Sequence, residues 1–537
     1  MSEGADERTG GGGRDAAAPS SQPLRGTRRS KRGGGRVATL TERTELRVVA
    51  RGGALNLVGA AVTGLAGLAL TVVVTRLVPQ STAGVFFTVT SLFILLVAVG
   101  QLGSDTGLVY FLARVRALQR PALARSYLAA AIRPATAVSA AAAVALALLA
   151  SPLADMLAAD QHALAVGYLR QVAVFLPLAV LANLCLAATR GYGTMRPTTL
   201  VEKLGRPVTQ IAAVTALAGA GGYALAAGWA LPYLPAAAVA CWWLYRMRRN
   251  HATRDEPTAS VAREYWSFAL PRALASVGQL ALQRLDILIV AGLRGPVDAA
   301  VYAAATRLLV VGQLANQAIS MAVQPRIAGL LATEDPAGAN RVYRSSTAWL
   351  VLLAWPFYLL VAGFASQILL LFGRDYVAGQ HVVVILCLAM LAATACGMVD
   401  VMLNMAGRTT WNLANVTVAV VVNVTLNVLL IPAYGIVGAA VAWAVAIVVK
   451  NVLPLAQIWR TLGLHPFDRG SGTAAALAAG WFGLLPLGVT LLTGPAPTMA
   501  ALTAAIALVG YPCCLWLFRR TLHLDVLAQS LVREKTQ

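Results

Sequence analysis

Apolar runs of roughly 20 to 27 residues recur along this chain, and each matches about 30 Å of hydrocarbon at 1.5 Å rise per helical residue. No soluble fold needs so many of them. Of the 537 residues, 58% are hydrophobic and 12% charged, where a soluble domain carries about 25% charged residues. The charges cluster in short stretches between the runs. The pattern predicts an all-α polytopic membrane protein with about fourteen spans.

The runs fall at 52–75, 84–108, 127–151, 165–189, 198–221, 223–244, 266–292, 298–322, 346–371, 378–404, 409–430, 436–459, 472–493 and 498–518. The fifth and sixth are poorly separated, with Gly219, Gly221 and Gly222 at the turn. The longest internal connection, 247–265, divides the chain into six spans (51–246), six spans (266–460) and two further spans (470–518), with a short tail at 519–537. The two halves echo each other: Arg76-Leu-Val-Pro79 and Gly84-Val-Phe86 in the first, Leu293-Arg-Gly-Pro296 and Ala300-Val-Tyr302 in the second. Repeats of this kind are common in transporters, with the substrate path between them.

Residues 1–50 form a tail rich in Gly, Ser, Ala and Arg that cannot support a core. Its basic run from Arg25 to Arg36 suits anionic lipid, each basic residue contributing about 1 kcal/mol near the surface. No cleavable signal peptide is read there. The formal charge of +21 lies mainly in the tail and the loops. That favours membrane-surface contact over nucleic acid.

Loop charges predict orientation. One side carries the tail and then Arg114, Arg116, Arg120, Arg125, Arg190, Arg196, Arg246, Arg248, Arg249 and Arg254; Arg326, Arg341, Arg408, Arg460 and Arg469 follow. The opposite loops are short, with Arg76, Arg294 and Arg374 among Asp155, Asp160, Asp298 and Asp375. The first side is expected to be cytoplasmic, with both termini there.

The six cysteines lie in apolar runs without metal-type spacing, and the five histidines are scattered. No metal site, cofactor motif, phosphate-binding loop or nucleophile elbow is read. Charges inside spans are more informative, since each costs about 2.5–3.5 kcal/mol to insert. Asp105, Arg133, Arg170, Glu202, Lys203, Arg206, Arg272, Arg284, Asp286, Arg307, Asp400 and Lys450 lie in the runs. Some can snorkel to the membrane surface. Arg284, Arg133, Arg170 and Arg206 are the candidate cavity cations. Asp286, Asp400, Asp105 and Glu202 are the candidate ion-coupling carboxylates. Arg284 and Asp286, two residues apart on one helix, should face different ways. Asn404, Asn412 and Asn423 are candidate cavity amides. With Asn415 and Asn427, they serve equally as helix-to-helix hydrogen-bonding groups.

Leu371-Phe-Gly-Arg-Asp-Tyr376, Leu403-Asn-Met-Ala-Gly-Arg408, Asn423, Asn427 and Ile431-Pro-Ala-Tyr-Gly-Ile-Val-Gly-Ala-Ala440 resemble the polysaccharide flippases of the multidrug/oligosaccharidyl-lipid/polysaccharide exporter superfamily. Pro271, Asp286, Val301-Tyr302, Gln324-Pro325 and the Arg76 motif fit as well. The likeness covers roughly residues 50–460, and the Ile431–Ala440 stretch is its most specific part. It implies two six-helix lobes facing a cavity in a bacterial cytoplasmic membrane. The implied cargo is a glycan on a polyprenyl diphosphate carrier, with glycan-synthesis machinery as a further partner. The rival expectations are a cation-coupled small-molecule or drug exporter on the same fold and a membrane-embedded glycan-processing enzyme. The short outer loops count against the enzyme.

Overall fold

The computed structural model describes residues 58–120, 122–249, 260–493, 497–519 and 521–522. The N-terminal tail, the middle of the 247–265 connection and nearly all of the C-terminal tail lie outside the described residues. Every regular element among the described residues is helical. The helices are α1 Val58–Leu77, α2 Gln80–Gln101, α3 Ser104–Ala117, α4 Ala122–Leu148, α5 Ala150–Ala158 and α6 His162–Gly191. A π-helical stretch, Thr198–Gly205, leads into α7 Arg206–Leu217, followed by α8 Gly222–Ala230 and α9 Tyr233–Arg249. The second half holds α10 Ser260–Arg294, α11 Pro296–Ala332, α12 Pro336–Gly363, α13 Ala365–Leu369, α14 Gln380–Ala395, α15 Val399–Met405 and α16 Thr409–Leu462. The end of the chain adds α17 Arg469–Ala479, α18 Leu485–Thr493 and α19 Pro497–Leu517.

Eleven helical stretches among the described residues are long and apolar enough to cross a membrane. The chain is an all-α, multi-pass membrane protein. Twelve of the fourteen predicted runs map onto these stretches; the fifth is broken into a π-helical piece and the twelve-residue α7, and the fourteenth forms a shorter apolar helix. The tenth breaks at residues 396–398, between α14 and α15. The eleventh and twelfth are continuous as α16, except at Gly435, whose φ of 57° and ψ of −139° are conformations that a side chain disfavours. The ninth begins about ten residues earlier than its apolar run suggests, because α12 extends back to Pro336. Asp335 caps it there, its side chain accepting from the Gly338 N–H at 2.8 Å. Another sharp start is α17, where Asp468 and Ser471 form a capping box.

Aromatic side chains and close backbone approaches hold the helices together. Phe93 packs edge-on to Trp229, with ring centroids 5.3 Å apart, joining α2 to α8. Phe111 of α3 stacks on Tyr127 of α4 at 4.7 Å, and Tyr265 of α10 closes the cluster. Here the N-terminal part of α10 is tied to first-half helices: Arg114 donates to Glu264 at 2.6 Å, and the Tyr127 hydroxyl donates to Glu264 at 2.7 Å. Further along, Leu282 of the same helix accepts from Trp443 Nε1 of α16 at 2.9 Å. Thus α10, with Pro271 inside it, contacts both halves of the chain.

At the opposite end, Arg76 at the close of α1 donates to the carbonyls of Leu371 and Leu370, at 2.9 and 2.6 Å. Gly84 of α2 lies so near the Pro296 backbone that even a methyl group would collide with it. The C-terminal helices pack on α12. The Tyr511 hydroxyl donates to Leu352 O at 3.0 Å, and Trp349 Nε1 donates to Leu522 O at 3.2 Å.

Candidate functional site

A cavity of about 1030 Å³ lies among the helices. Its wall draws on α1, α2, α3, α6, the π-helical stretch with α7, α8, α9, α10, α11, α12, α14, α15 and α16. Helices from both halves therefore contribute, as the echo in the sequence leads one to expect of a transport path. The wall is mixed: backbone-rich apolar stretches alternate with charged and amide side chains.

Five of the candidate residues reach this wall: Asp105, Glu202, Arg206, Arg284 and Asp400. Three further cations join them, Lys203, Arg307 and Lys450. Arg284 of α10 and Arg307 of α11 are within electrostatic reach of each other. Among the described residues neither makes an ion pair. Two guanidinium groups brought together without a carboxylate form a cradle for an anionic group, because planar N–H forks match phosphate and carboxylate oxygens.

Other wall charges have partners. Lys450 Nζ lies 3.2 Å from Asp400 Oδ2, so Lys450 turns inward and does not snorkel. The second oxygen of Asp400, Oδ1, is buried without a hydrogen-bond partner among the described residues. Arg206 lies over the Tyr233 ring, 5.0 Å from its centroid. Arg272, also a snorkelling candidate, is exposed and lies over Phe268 at 3.8 Å.

The remaining candidates are elsewhere. Arg133 on α4 and Arg170 on α6 are exposed and off the cavity. Their long side chains have room outside the helix packing, so insertion does not force them inward. Asn404, Asn412 and Asn423 also miss the wall, and Asn412 Oδ1 and Asn423 Nδ2 are buried without a hydrogen-bond partner among the described residues. Asn412 Nδ2 donates to Asn404 Oδ1 at 3.3 Å. Asn415 and Gln457 exchange two hydrogen bonds, at 2.8 and 2.9 Å, across the kink of α16.

Asp286 is buried away from the cavity, turned from Arg284 as the two-residue spacing requires. It accepts from the Tyr302 hydroxyl at 3.0 Å and from Asn427 Nδ2 at 2.9 Å. Asn427 also donates to Asn423 O at 2.8 Å, and its own Oδ1 is buried without a partner among the described residues. A carboxylate and an unengaged amide oxygen thus lie in one buried cluster of neutral donors. Hard cations take such oxygen ligands.

Arg307 was visible in the sequence as a charge within a run but was not selected. The clearer missed signal is its companions: Gln313, Asn316, Gln317 and Ser320 share one face of α11, and Ser276, Gln279, Gln283 and Arg284 one face of α10. Polar residues three and four apart mark one side of a helix, and both stripes line the cavity.

The arrangement is a polar chamber enclosed by helices from both halves of a multi-pass membrane protein. Residues 233–429 match the MatE family model. The probable low-salt glycan biosynthesis flippase Agl15 of Haloferax volcanii is 24% identical over 199 residues. That match spans 37% of this chain and 42% of the relative. Among solved structures, the lipid II flippase MurJ in its inward closed conformation superposes with a TM-score of 0.69 at 12% identity, covering 86% of this chain and 98% of that one. An inward-facing multidrug resistance MATE-family transporter gives 0.61 at 16% identity, covering 75% and 94%. The chain is thus MatE/MurJ-like in fold, with the family match confined to residues 233–429.

Proposed function

We propose that this protein is a flippase for a lipid-linked oligosaccharide or polysaccharide precursor. The observation that carries the reading is the Arg284–Arg307 pair, free of carboxylate partners among the described residues, on the wall of a polar chamber. A glycan headgroup leaves several kcal/mol unsatisfied for each polar group exposed to hydrocarbon. Amide stripes on α10 and α11 would replace the lost water, while the two arginines hold the diphosphate of the carrier. The lipid chain stays in the bilayer. The chamber volume of about 1030 Å³ is at the top of the roughly 300–1,000 Å³ typical of small-molecule sites.

In this reading the two sets of six spans act as lobes, with fourteen spans in all and both termini cytoplasmic. Transport proceeds by alternating access. MATE-family transporters of this fold are described in inward-facing and outward-facing conformations. Asp286 is the ion-coupling residue, its cluster with Tyr302 and Asn427 taking up a cation. Asp105 and Glu202 lie on the cavity wall, open to water-borne ions. Asp400 is already tied to Lys450, so it ranks behind Asp286.

A second reading, a cation-coupled small-molecule exporter, is favoured by the MatE model and by the multidrug transporters among the similar structures. It accounts for the shared fold and a coupling carboxylate, but not for two arginines in the chamber that lack carboxylate partners among the described residues. Proteoliposomes separate the two. Defined polyprenyl-diphosphate sugars should be flipped at a rate that depends on the protein. Export of cationic dyes with no flipping would establish the second reading instead. Cysteine labelling from outside intact cells tests the orientation: positions near Arg120 and Arg469 should be protected and those near Asp160 and Asp375 labelled.

A further inference from the structure

The fifth predicted span does not begin as an ordinary helix. Thr198–Gly205 is wound as a π-helix before α7 takes over. Wide turns of this kind are rare and frequently mark functional sites. The widened turn carries Glu202 and Lys203 to the cavity wall, and Arg206 follows at the first residue of α7. The connection before it is held in place, since Arg116 Nη1 donates to Tyr192 O at 2.7 Å. Arg190, in the last turn of α6, comes within electrostatic reach of Lys203.

This corner contains three cations, Arg190, Lys203 and Arg206, against the one carboxylate of Glu202. It also holds buried polar atoms that the protein does not engage. Arg190 Nε, Arg206 Nε and Thr198 Oγ1 are buried with no hydrogen-bond partner among the described residues. The face of the Arg206 guanidinium is covered by Tyr233, which leaves its N–H edge for a ligand. Buried donors that lack acceptors are costly, and Arg206 lines the cavity with Lys203, where an anion could reach both. The nearby Arg190 and Arg196 belong to the connection that loop charges assign to the cytoplasmic side.

We propose that the π-helical opening forms a phosphate-binding site at the inner end of the cavity, separate from the Arg284–Arg307 pair. Lys203 and Arg206 grip the phosphate oxygens, and Arg190 adds charge from α6. The ligand is the phosphate ester of a membrane lipid. Two lipids offer that chemistry: a polyprenyl phosphate, the carrier of the proposed cargo, and phosphatidylglycerol from the bilayer. The first deepens the flippase reading and rests on it; the second does not need it.

Native mass spectrometry of the intact purified protein, titrated with undecaprenyl phosphate and separately with phosphatidylglycerol, tests the site. Lys203→Gln with Arg206→Gln should weaken binding about tenfold or more, the scale of one or two charge-assisted hydrogen bonds. Lys203→Arg with Arg206→Lys should retain binding, which shows that the fold tolerates change there. Arg284→Gln with Arg307→Gln should leave lipid bound at the inner site. Selective loss of undecaprenyl phosphate in the Lys203/Arg206 variant supports the site and its link to cargo. Loss of phosphatidylglycerol alone supports the site and removes the link. Unchanged binding of both lipids by that variant overturns the site, as does absence of binding by the unaltered protein. If the Arg284/Arg307 variant alone abolishes binding, the inner site falls while the flippase reading stands.

Discussion

The fifth and eleventh predicted spans both carry a series of polar side chains through an apolar helix, yet they use them in opposite ways. Around Thr198–Gly205 and α7, Glu202, Lys203 and Arg206 open onto the chamber. In the first part of α16, Asn412, Asn415, Asn423 and Asn427 are all off its wall. The chemistry of the groups explains the difference. An amide has a donor and an acceptor, so it can bond to another amide, to a backbone carbonyl or to a carboxylate. Asn412 finds Asn404, Asn415 finds Gln457, and Asn427 finds Asp286 and Asn423 O. A cation has donors only and a charge to solvate. Without a carboxylate at hand it must face water, a ring or a ligand. Polarity in a span predicts a cavity only where the helix cannot satisfy the group itself.

The largest expected effect tests the cation side of that contrast. Arg284→Ala with Arg307→Ala should insert normally and lose transport of lipid-linked sugars by about a hundredfold or more, since each charge-assisted contact to an anion contributes roughly 1.5–3 kcal/mol. Protein level and melting temperature should hold, because neither arginine has an ion pair among the described residues to lose. A collapse in protein level with residual transport intact per molecule would make the pair structural. Restoring Lys at both positions keeps charge but not the planar fork, and should recover only part of the rate.

The amide side is expected to fail differently. Asn427→Leu removes a donor to the buried carboxylate of Asp286 and should destabilise the protein by about 1.5–3 kcal/mol. Thermal unfolding in detergent measures it. Any dependence of transport on a coupling cation should change in the same variant, because the unengaged Asn427 Oδ1 goes too. An unaltered melting temperature together with unaltered cation dependence would remove Asp286 from the coupling role.

Much of the fold was legible because membrane insertion makes length and polarity nearly sufficient. Runs such as 127–151 and 298–322 could hardly be anything but spans. Where the helices break was legible only in part. The Gly435 kink falls in the gap between the runs 409–430 and 436–459, whereas the interruption at residues 396–398 and the π-helical start of the fifth span depend on tertiary packing that hydropathy ignores. For the site, single charges were visible but their direction was not. Arg133 and Arg284 look alike in the sequence; one is exposed and the other lines the chamber. The amide stripes of α10 and α11 were readable at helical spacing, but so was the asparagine series of α16, which lies off the wall. Spacing shows that polar groups share a face; it does not show whether that face meets water or another helix.

A smaller effect is expected at Asn415, whose amide exchanges two hydrogen bonds with Gln457. Asn415→Leu breaks the exchange within the membrane, where such bonds contribute about 0.6 kcal/mol on average. A slight fall in melting temperature with unchanged transport per molecule is the expected result. Transport loss at normal stability would move this face of α16 into the path and erase its contrast with the fifth span.

The smallest effect should come from the cations that face outward. Arg133 and Arg170 are exposed on α4 and α6, and neither reaches the chamber. A long arginine at the outside of a helix can extend its head toward the membrane surface while its stem covers apolar area. Leu in either place removes that need and keeps most of the apolar contact. Arg133→Leu and Arg170→Leu should therefore transport within about twofold of the unaltered protein, well below the tenfold that corresponds to about 1.4 kcal/mol. Flipping rates normalised to inserted protein measure this directly. A tenfold loss at either position, with normal insertion, would show that α4 or α6 turns its charge toward cargo in another state of the cycle. The division between cavity cations and outward cations would then belong to one conformation and not to the protein as a whole.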